Sequence, residues 1–185
     1  REGDRNPTSG LPGGRAIESE ILGRVQAGAP FSVCYLDLDN FKPFADTFGF
    51  AIADEVIRGL GSAIRDSSAA VPGDAQDDFV GHIGGDDFIV ITSADRAEPM
   101  MGECARRCFQ VIQTAVGPKA AALGCYTGVD REGRVREFPL AGASAAVLHV
   151  TPASWVNLAH LGMRAAEVKR RAKMKGTGAV LVESA

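Results

Sequence analysis

Hydrophobic residues recur along this chain at two spacings, one helical and one alternating. Over 16–26, Ile17, Ile21, Leu22 and Val25 share one helical face, and Gly28-Ala29-Pro30 ends the segment. Residues 31–38 form a short apolar run that reads as a buried strand. Residues 40–47 read as a short helical or turning piece interrupted at Pro43. Ile52, Val56, Leu60 and Ile64 mark a second amphipathic helix over 51–65, followed by a loop over 66–77 rich in Ser, Ala, Asp, Gly and Pro. A hairpin is predicted over 78–92, then a third helix over 99–116 that buries Met100, Cys104, Cys108, Val111, Ile112 and Ala115. A further hairpin follows over 122–138, turned at Glu132-Gly133, and then a core strand over 140–150. Thr151 as cap and Pro152 at the first position open a long helix to about Lys175, and 179–182 is a last strand. Residues 1–7 are expected to be a linker or disordered, and 8–185 one domain. The order predicts an α+β fold, a mixed central sheet with surrounding helices.

Two stretches break the apolar pattern with charge. The first is Ile83-Gly84-Gly85-Asp86-Asp87-Phe88-Ile89, a glycine turn between two short strands. Taken alone, two acids on a turn read as a solvated surface. The second is Tyr35-Leu36-Asp37-Leu38-Asp39-Asn40-Phe41-Lys42, where the buried strand ends in Asp-x-Asp followed by an aromatic and a lysine. Strand alternation puts Asp37 and Asp39 on one face. Carboxylates at the end of a buried strand make poor core and good ligands for a hard divalent cation. Asp37 and Asp86 together could therefore clamp Mg²⁺, with Lys42 meeting a phosphate.

Composition narrows the reading. The chain has 185 residues, 45% hydrophobic and 23% charged, which suits one globular domain. A net charge of −3 leaves no nucleic-acid footprint. No apolar run reaches the ~18 residues of a membrane span, and no secretory signal opens the chain. Four cysteines without a Cys-x-x-Cys pair fit a reduced, cytoplasmic setting. The absence of an initial Met predicts a piece of a longer protein, with sensory or effector domains attached.

With both motifs in hand, the chain resembles the GGDEF domain family of diguanylate cyclases over roughly 8–182, with Gly10-Leu11-Pro12 similar to the family's entry turn. The resemblance implies a palm-like fold, two GTP condensed into cyclic di-GMP, Mg²⁺ or Mn²⁺ as cofactor, and two domains facing each other in a homodimer. It implies metal ligands at Asp37, the Leu38 main chain and Asp86, and catalytic roles for Asp86, Asp87 and Lys42. Nucleotide contacts fall to Asn40, Phe41, Lys42, Lys173 and the guanine-reading Asp54.

Four departures set this chain apart. Ala45 stands where the family has a guanine-binding Asn, a lost contact worth ~1–3 kcal/mol, or about one to two decades in affinity. Asp87 replaces the usual Glu, and a catalytic group displaced by ~1 Å can lose about 100-fold in rate. Thr177 and His82 replace basic residues expected around the triphosphate. The window Ala75-Gln76-Asp77-Asp78 keeps the Asp of the family's Arg-x-x-Asp product site without its Arg, so no inhibitory site is expected. Three functions stay open: a degenerate domain that binds GTP with weak or no turnover and regulates an attached domain, an active cyclase without product inhibition, and a non-binding structural or dimerising domain.

Overall fold

In the computed structural model, residues 2–140, 142–151, 158–176 and 178–185 are described. The elements run α1 (Gly14–Ala27), β1 (Phe31–Leu38), α2 (Phe41–Phe48), α3 (Phe50–Ala70), β2 (Phe79–Gly84), β3 (Asp87–Thr92), α4 (Ala94–Leu123), β4 (Cys125–Val129), β5 (Val135–Pro139), β6 (Ala143–Val150), α5 (Leu158–Lys175) and β7 (Val180–Ser184). Five strands form one mixed sheet in the order β2-β3-β1-β6-β7. β1 lies antiparallel to both β3 and β6, and β6 is parallel to β7. β4 and β5 form a separate two-stranded ribbon. The expected α+β architecture is thus the observed one.

Both faces of the sheet are covered, which is why β1 reads as a nearly continuous apolar run. Cys34, Leu36, Phe88, Val90 and Val147 face a core shared with Val56, Leu60 and Ile64 of α3 and Met100, Cys104 and Cys108 of α4. Phe31, Val33, Ile89, Ile91 and Leu148 face the opposite core, with Ile17 and Ile21 of α1 and Leu161, Ala165 and Val168 of α5. The period of two then carries Asp37, at the end of β1, toward α5. The buried cysteines are packing residues; burial pushes the Cys104 thiol up to about 12.

Three boundaries differ from the sequence pattern. α3 continues to Ala70 instead of yielding to a loop at 66, because Ser67 is buried and its hydroxyl donates to the Ala63 carbonyl. Pro43 does not interrupt α2; it sits in the first turn, where a missing N–H costs little. α4 begins five residues before Pro99 and runs past Val116, with Gly117 (φ 85°) breaking its axis. The added first turn carries Arg96, which is 2% exposed and donates to the carbonyls of Ser68, Val71 and Pro72 and to Asp78. The expected helix start at Pro152 lies outside the described residues.

Candidate nucleotide and metal site

Antiparallel pairing brings the two charged stretches together. Leu36 of β1 pairs with Phe88 of β3, so the end of β1 lies beside the turn Gly85-Asp86. Gly85 takes φ 52°, the left-handed conformation a two-residue hairpin needs. His82 holds the turn from behind. Its Nε2 faces the Gly85 carbonyl at 2.8 Å, which fixes it as the donor, so Nδ1 accepts from the Ser9 hydroxyl at 2.7 Å. The ring stacks on Phe88, with centroids 4.2 Å apart. Burial lowers the His82 pKa, against opposing pulls from the Gly85 carbonyl and Asp87. His82 is a neutral core group and adds no charge to a phosphate frame.

Asp86 reaches from the turn to β1, where its Oδ2 accepts the Leu38 N–H at 2.9 Å. Burial pushes its carboxyl up to about 6, helped by the negative charges of Asp37 and Asp87. Asp37 meets two lysines of α5: Lys173 Nζ lies 2.8 Å from Oδ1 and Lys169 Nζ 3.0 Å from Oδ2. Lys173 also donates to the Leu38 carbonyl at 3.1 Å and to Asp39 Oδ1 at 3.2 Å. Burial alone would lower the Lys173 pKa, but its carboxylate partners raise it. Ser144 of β6 donates to Asp39 Oδ1 at 2.7 Å. Lys169 also approaches Asp87 Oδ1 at 3.4 Å. Asp37 and Asp39 thus meet the same ammonium, as strand alternation predicts.

The donor set fits a hard cation. Asp39 Oδ2 is buried with no hydrogen-bond partner. Asp37 Oδ1 is met by the Lys173 ammonium at 2.8 Å. Among the described residues no group of three or more His, Cys, Asp and Glu side chains could hold a metal. Two carboxylates and one backbone carbonyl nevertheless suit Mg²⁺, which keeps several waters and takes one or two carboxylates.

A cleft of about 880 Å³ opens over these groups. Asp37, Leu38, Asp86, Asp87 and Lys173 line its floor, and Asn40, Phe41, Lys42 and Asp46 one side. Asn40 takes φ 54°, the one positive φ outside glycine among the described residues, and turns the chain sharply into α2. Lys42 pairs with Asp46 at 2.9 Å on the surface, both side chains more than half exposed. Such a pair is worth little and leaves the ammonium available. Asp54 is exposed on α3 and does not line the cleft. Thr177 lies outside the described residues.

The β4–β5 ribbon forms the other wall, a role the sequence pattern did not suggest. Val129, Arg131, Arg136 and Phe138 border the cleft. Tyr126 anchors the ribbon by packing edge-on against Phe44 and Phe48 of α2 and stacking on Phe138. Lys169 was also missed as a site residue. It stands four residues before Lys173, and helical spacing would have put both on one face. Asp78, in the window 75–78, is occupied internally: Arg96 pairs with it at 2.7 Å, and the hydroxyls of Ser68 and Thr92 each donate to it at 2.5 Å.

Comparison with known proteins agrees with this geometry. A model of the family "Diguanylate cyclase, GGDEF domain" matches residues 7–130, more than half of the chain. Diguanylate cyclase DosC of Escherichia coli (strain K12) is 34% identical over 85 residues, which cover 45% of this chain and 17% of DosC. The chain therefore spans a small part of that relative's length. The fold is similar to that of diguanylate cyclase SiaD from Pseudomonas aeruginosa, solved in complex with its activator SiaC, with TM-score 0.67 and 19% identity over 98% of this chain and 62% of that one. It is likewise similar to the GGDEF domain of DgcB from Caulobacter crescentus, solved in complex with c-di-GMP, with TM-score 0.63 and 19% identity over 98% and 96% of the two chains. From the acidic hairpin turn set against the end of β1, and from the family match across both, the chain belongs to the GGDEF domain family.

Proposed function

We propose that this domain binds GTP with Mg²⁺ or Mn²⁺ in the cleft above Asp37 and Asp86, turns it over weakly or not at all, and regulates an attached signalling domain. The observation that carries the reading is the Asp86 carboxylate, held 2.9 Å from the Leu38 N–H and pushed up to about 6 by burial beside two other acids. Excess negative charge at a fixed point is what a divalent cation relieves. Asp37, the Leu38 carbonyl and Asp86 would hold that cation. When bound, it neutralises the triphosphate and, in a competent pair of domains, acidifies the attacking 3′-hydroxyl.

The other residues bind and orient. Lys173 and Lys42 take phosphate oxygens, one from the cleft floor and one from its rim. The first turn of α2, at Phe41 and Lys42, adds backbone N–H groups without intrahelical partners. A base that extends beyond the cleft toward α3 would meet Asp54, which lies outside the cleft lining. Ala45 offers the base no hydrogen bond, and Asp87, shorter than Glu, already faces Lys169. The first weakens the grip on the base, and the second disfavours turnover.

Calorimetric titration with a non-hydrolysable GTP analogue and Mg²⁺, with an ATP analogue as control, tests the reading. Guanine-selective, Mg²⁺-dependent binding is expected, lost in Asp86→Ala. No binding at millimolar ligand would leave a structural or dimerising domain. Cyclic di-GMP formed at high protein concentration would show an active cyclase instead.

A further inference from the structure

We propose that Lys169 is a built-in counter-ion, held by Asp37 and Asp87, that competes with a divalent metal for Asp37, so that the nucleotide-free domain binds metal weakly. The inference rests on the metal-dependent reading above and adds a regulatory contact to it. Lys169 projects from α5 with its side chain only 17% exposed. Its ammonium lies 3.0 Å from Asp37 Oδ2 and 3.4 Å from Asp87 Oδ1. It thereby bridges carboxylates from two different strands, β1 and β3, and occupies one oxygen of a carboxylate that the cation would need. Lys173, one turn later, covers the remaining Asp37 oxygen at 2.8 Å and the Leu38 carbonyl at 3.1 Å. Between them the two lysines engage both oxygens of Asp37 and the backbone carbonyl beside it. Asp86 has no lysine or arginine partner among the described residues.

This arrangement treats a lone metal and a metal–nucleotide pair differently. A lone cation must displace a tethered ammonium that is mostly buried and leave it without a partner, which is costly. A triphosphate arriving with the metal offers new oxygens to that same ammonium. The lysine then moves from carboxylate to phosphate instead of being orphaned. Metal and nucleotide are therefore expected to bind cooperatively, with Lys169 as the coupling group.

The test is Mn²⁺ titration of the domain, reading free Mn²⁺ by electron paramagnetic resonance, with and without the GTP analogue. Wild type is compared with Lys169→Met, Lys169→Arg and Lys175→Met. Lys175 lies on the same helix, and its ammonium makes no ion pair among the described residues. Lys169→Met should bind Mn²⁺ alone roughly tenfold tighter or more, since the cation paired with Asp37 at 3.0 Å has been removed. Its gain in Mn²⁺ affinity from nucleotide should shrink by a similar factor. Lys169→Arg and Lys175→Met should behave as wild type. If Lys169→Met does not fold, Lys169→Gln makes the same comparison. Equal, measurable Mn²⁺ affinity in wild type and the neutral variant would overturn the counter-ion role alone. No Mn²⁺ bound by any variant, with or without nucleotide, would overturn the metal reading and this proposal with it.

Discussion

Replacing Asp86 with Asn should stabilise the metal-free domain while removing its response to metal. The Asp86 carboxyl is pushed from 3.8 up to about 6 in the folded state. A group with a raised folded pKa contributes stability that is fully present below its unfolded value, here 3.8, and lost as pH rises through about 6. Above that window the ionised carboxylate opposes folding, by ~3 kcal/mol at most for a displacement of this size. Asn keeps an oxygen that can accept the Leu38 N–H, so the bond at 2.9 Å survives. A gain of ~1–3 kcal/mol is therefore expected near neutral pH, or about 2–10 °C in Tm for a domain of this length. At about pH 4, where the folded wild type is already protonated at this site, the two proteins should converge. Urea unfolding in EDTA at both pH values measures the difference. Adding Mg²⁺ and nucleotide should then stabilise the wild type and leave the variant unchanged. An Asp86→Asn domain no more stable than wild type at neutral pH in EDTA would refute the reasoning, because the acid would then be at ease without a cation.

Four other outcomes are expected. Arg96→Met, which leaves the Asp78 carboxylate buried without its cation, should cost ~3–5 kcal/mol in urea unfolding, and pairing it with Asp78→Leu should recover much of that. Burial alone would raise the Asp78 carboxyl, but hydrogen bonds from Arg96, Ser68 and Thr92 hold it below its usual value; its stabilisation is therefore lost as pH falls below about 3.8, and Asp78→Asn should flatten the acid limb of a stability profile. His82→Leu leaves the Gly85 carbonyl without its side-chain donor; ~1–3 kcal/mol should be lost, with faster amide exchange at the turn. Tyr126→Ala unpins the β4–β5 ribbon from Phe44 and Phe48, at a cost of about 3 kcal/mol, and calorimetry should show weaker nucleotide binding through the lost wall.

What could be read in advance was whatever depends on near neighbours in sequence. The apolar run 31–38 and the observed β1 (Phe31–Leu38) coincide, because both faces of that strand are buried and no charged residue interrupts it until Asp37. The two hairpins followed from Gly85 and Gly133, whose positive φ the turns require. The meeting of Asp86 with the end of β1 was legible only through the pairing of two motifs. What escaped depends on partners far apart. The first turn of α4 is held by the Arg96 guanidinium reaching carbonyls more than twenty residues away, which no local pattern encodes. Lys169 sits in a basic run that reads as a solvated face, and only the neighbouring strands reveal that it turns inward. The β4–β5 ribbon carries its apolar contacts on aromatic rings that find α2, across more than seventy intervening residues.

The end of β1 has one more consequence. Its three residues 37–39 are the shared datum of the site: the hairpin fastens to the Leu38 N–H, α5 to the Leu38 carbonyl and the two flanking acids, and β6 to Asp39 through Ser144. The Asp39 N–H also donates to the Gly142 carbonyl at 3.0 Å. Positioning errors in the hairpin, the helix and the neighbouring strand are each measured from the same three residues, so they do not accumulate from one element to the next. A small slide of β1 would carry Asp37, Asp86 and Lys173 together, preserving their separation. Substitutions in the distant core therefore translate the site as a unit, while changes that loosen any one fastening at 37–39 alter its internal spacing, the quantity to which alignment of reacting groups is most sensitive.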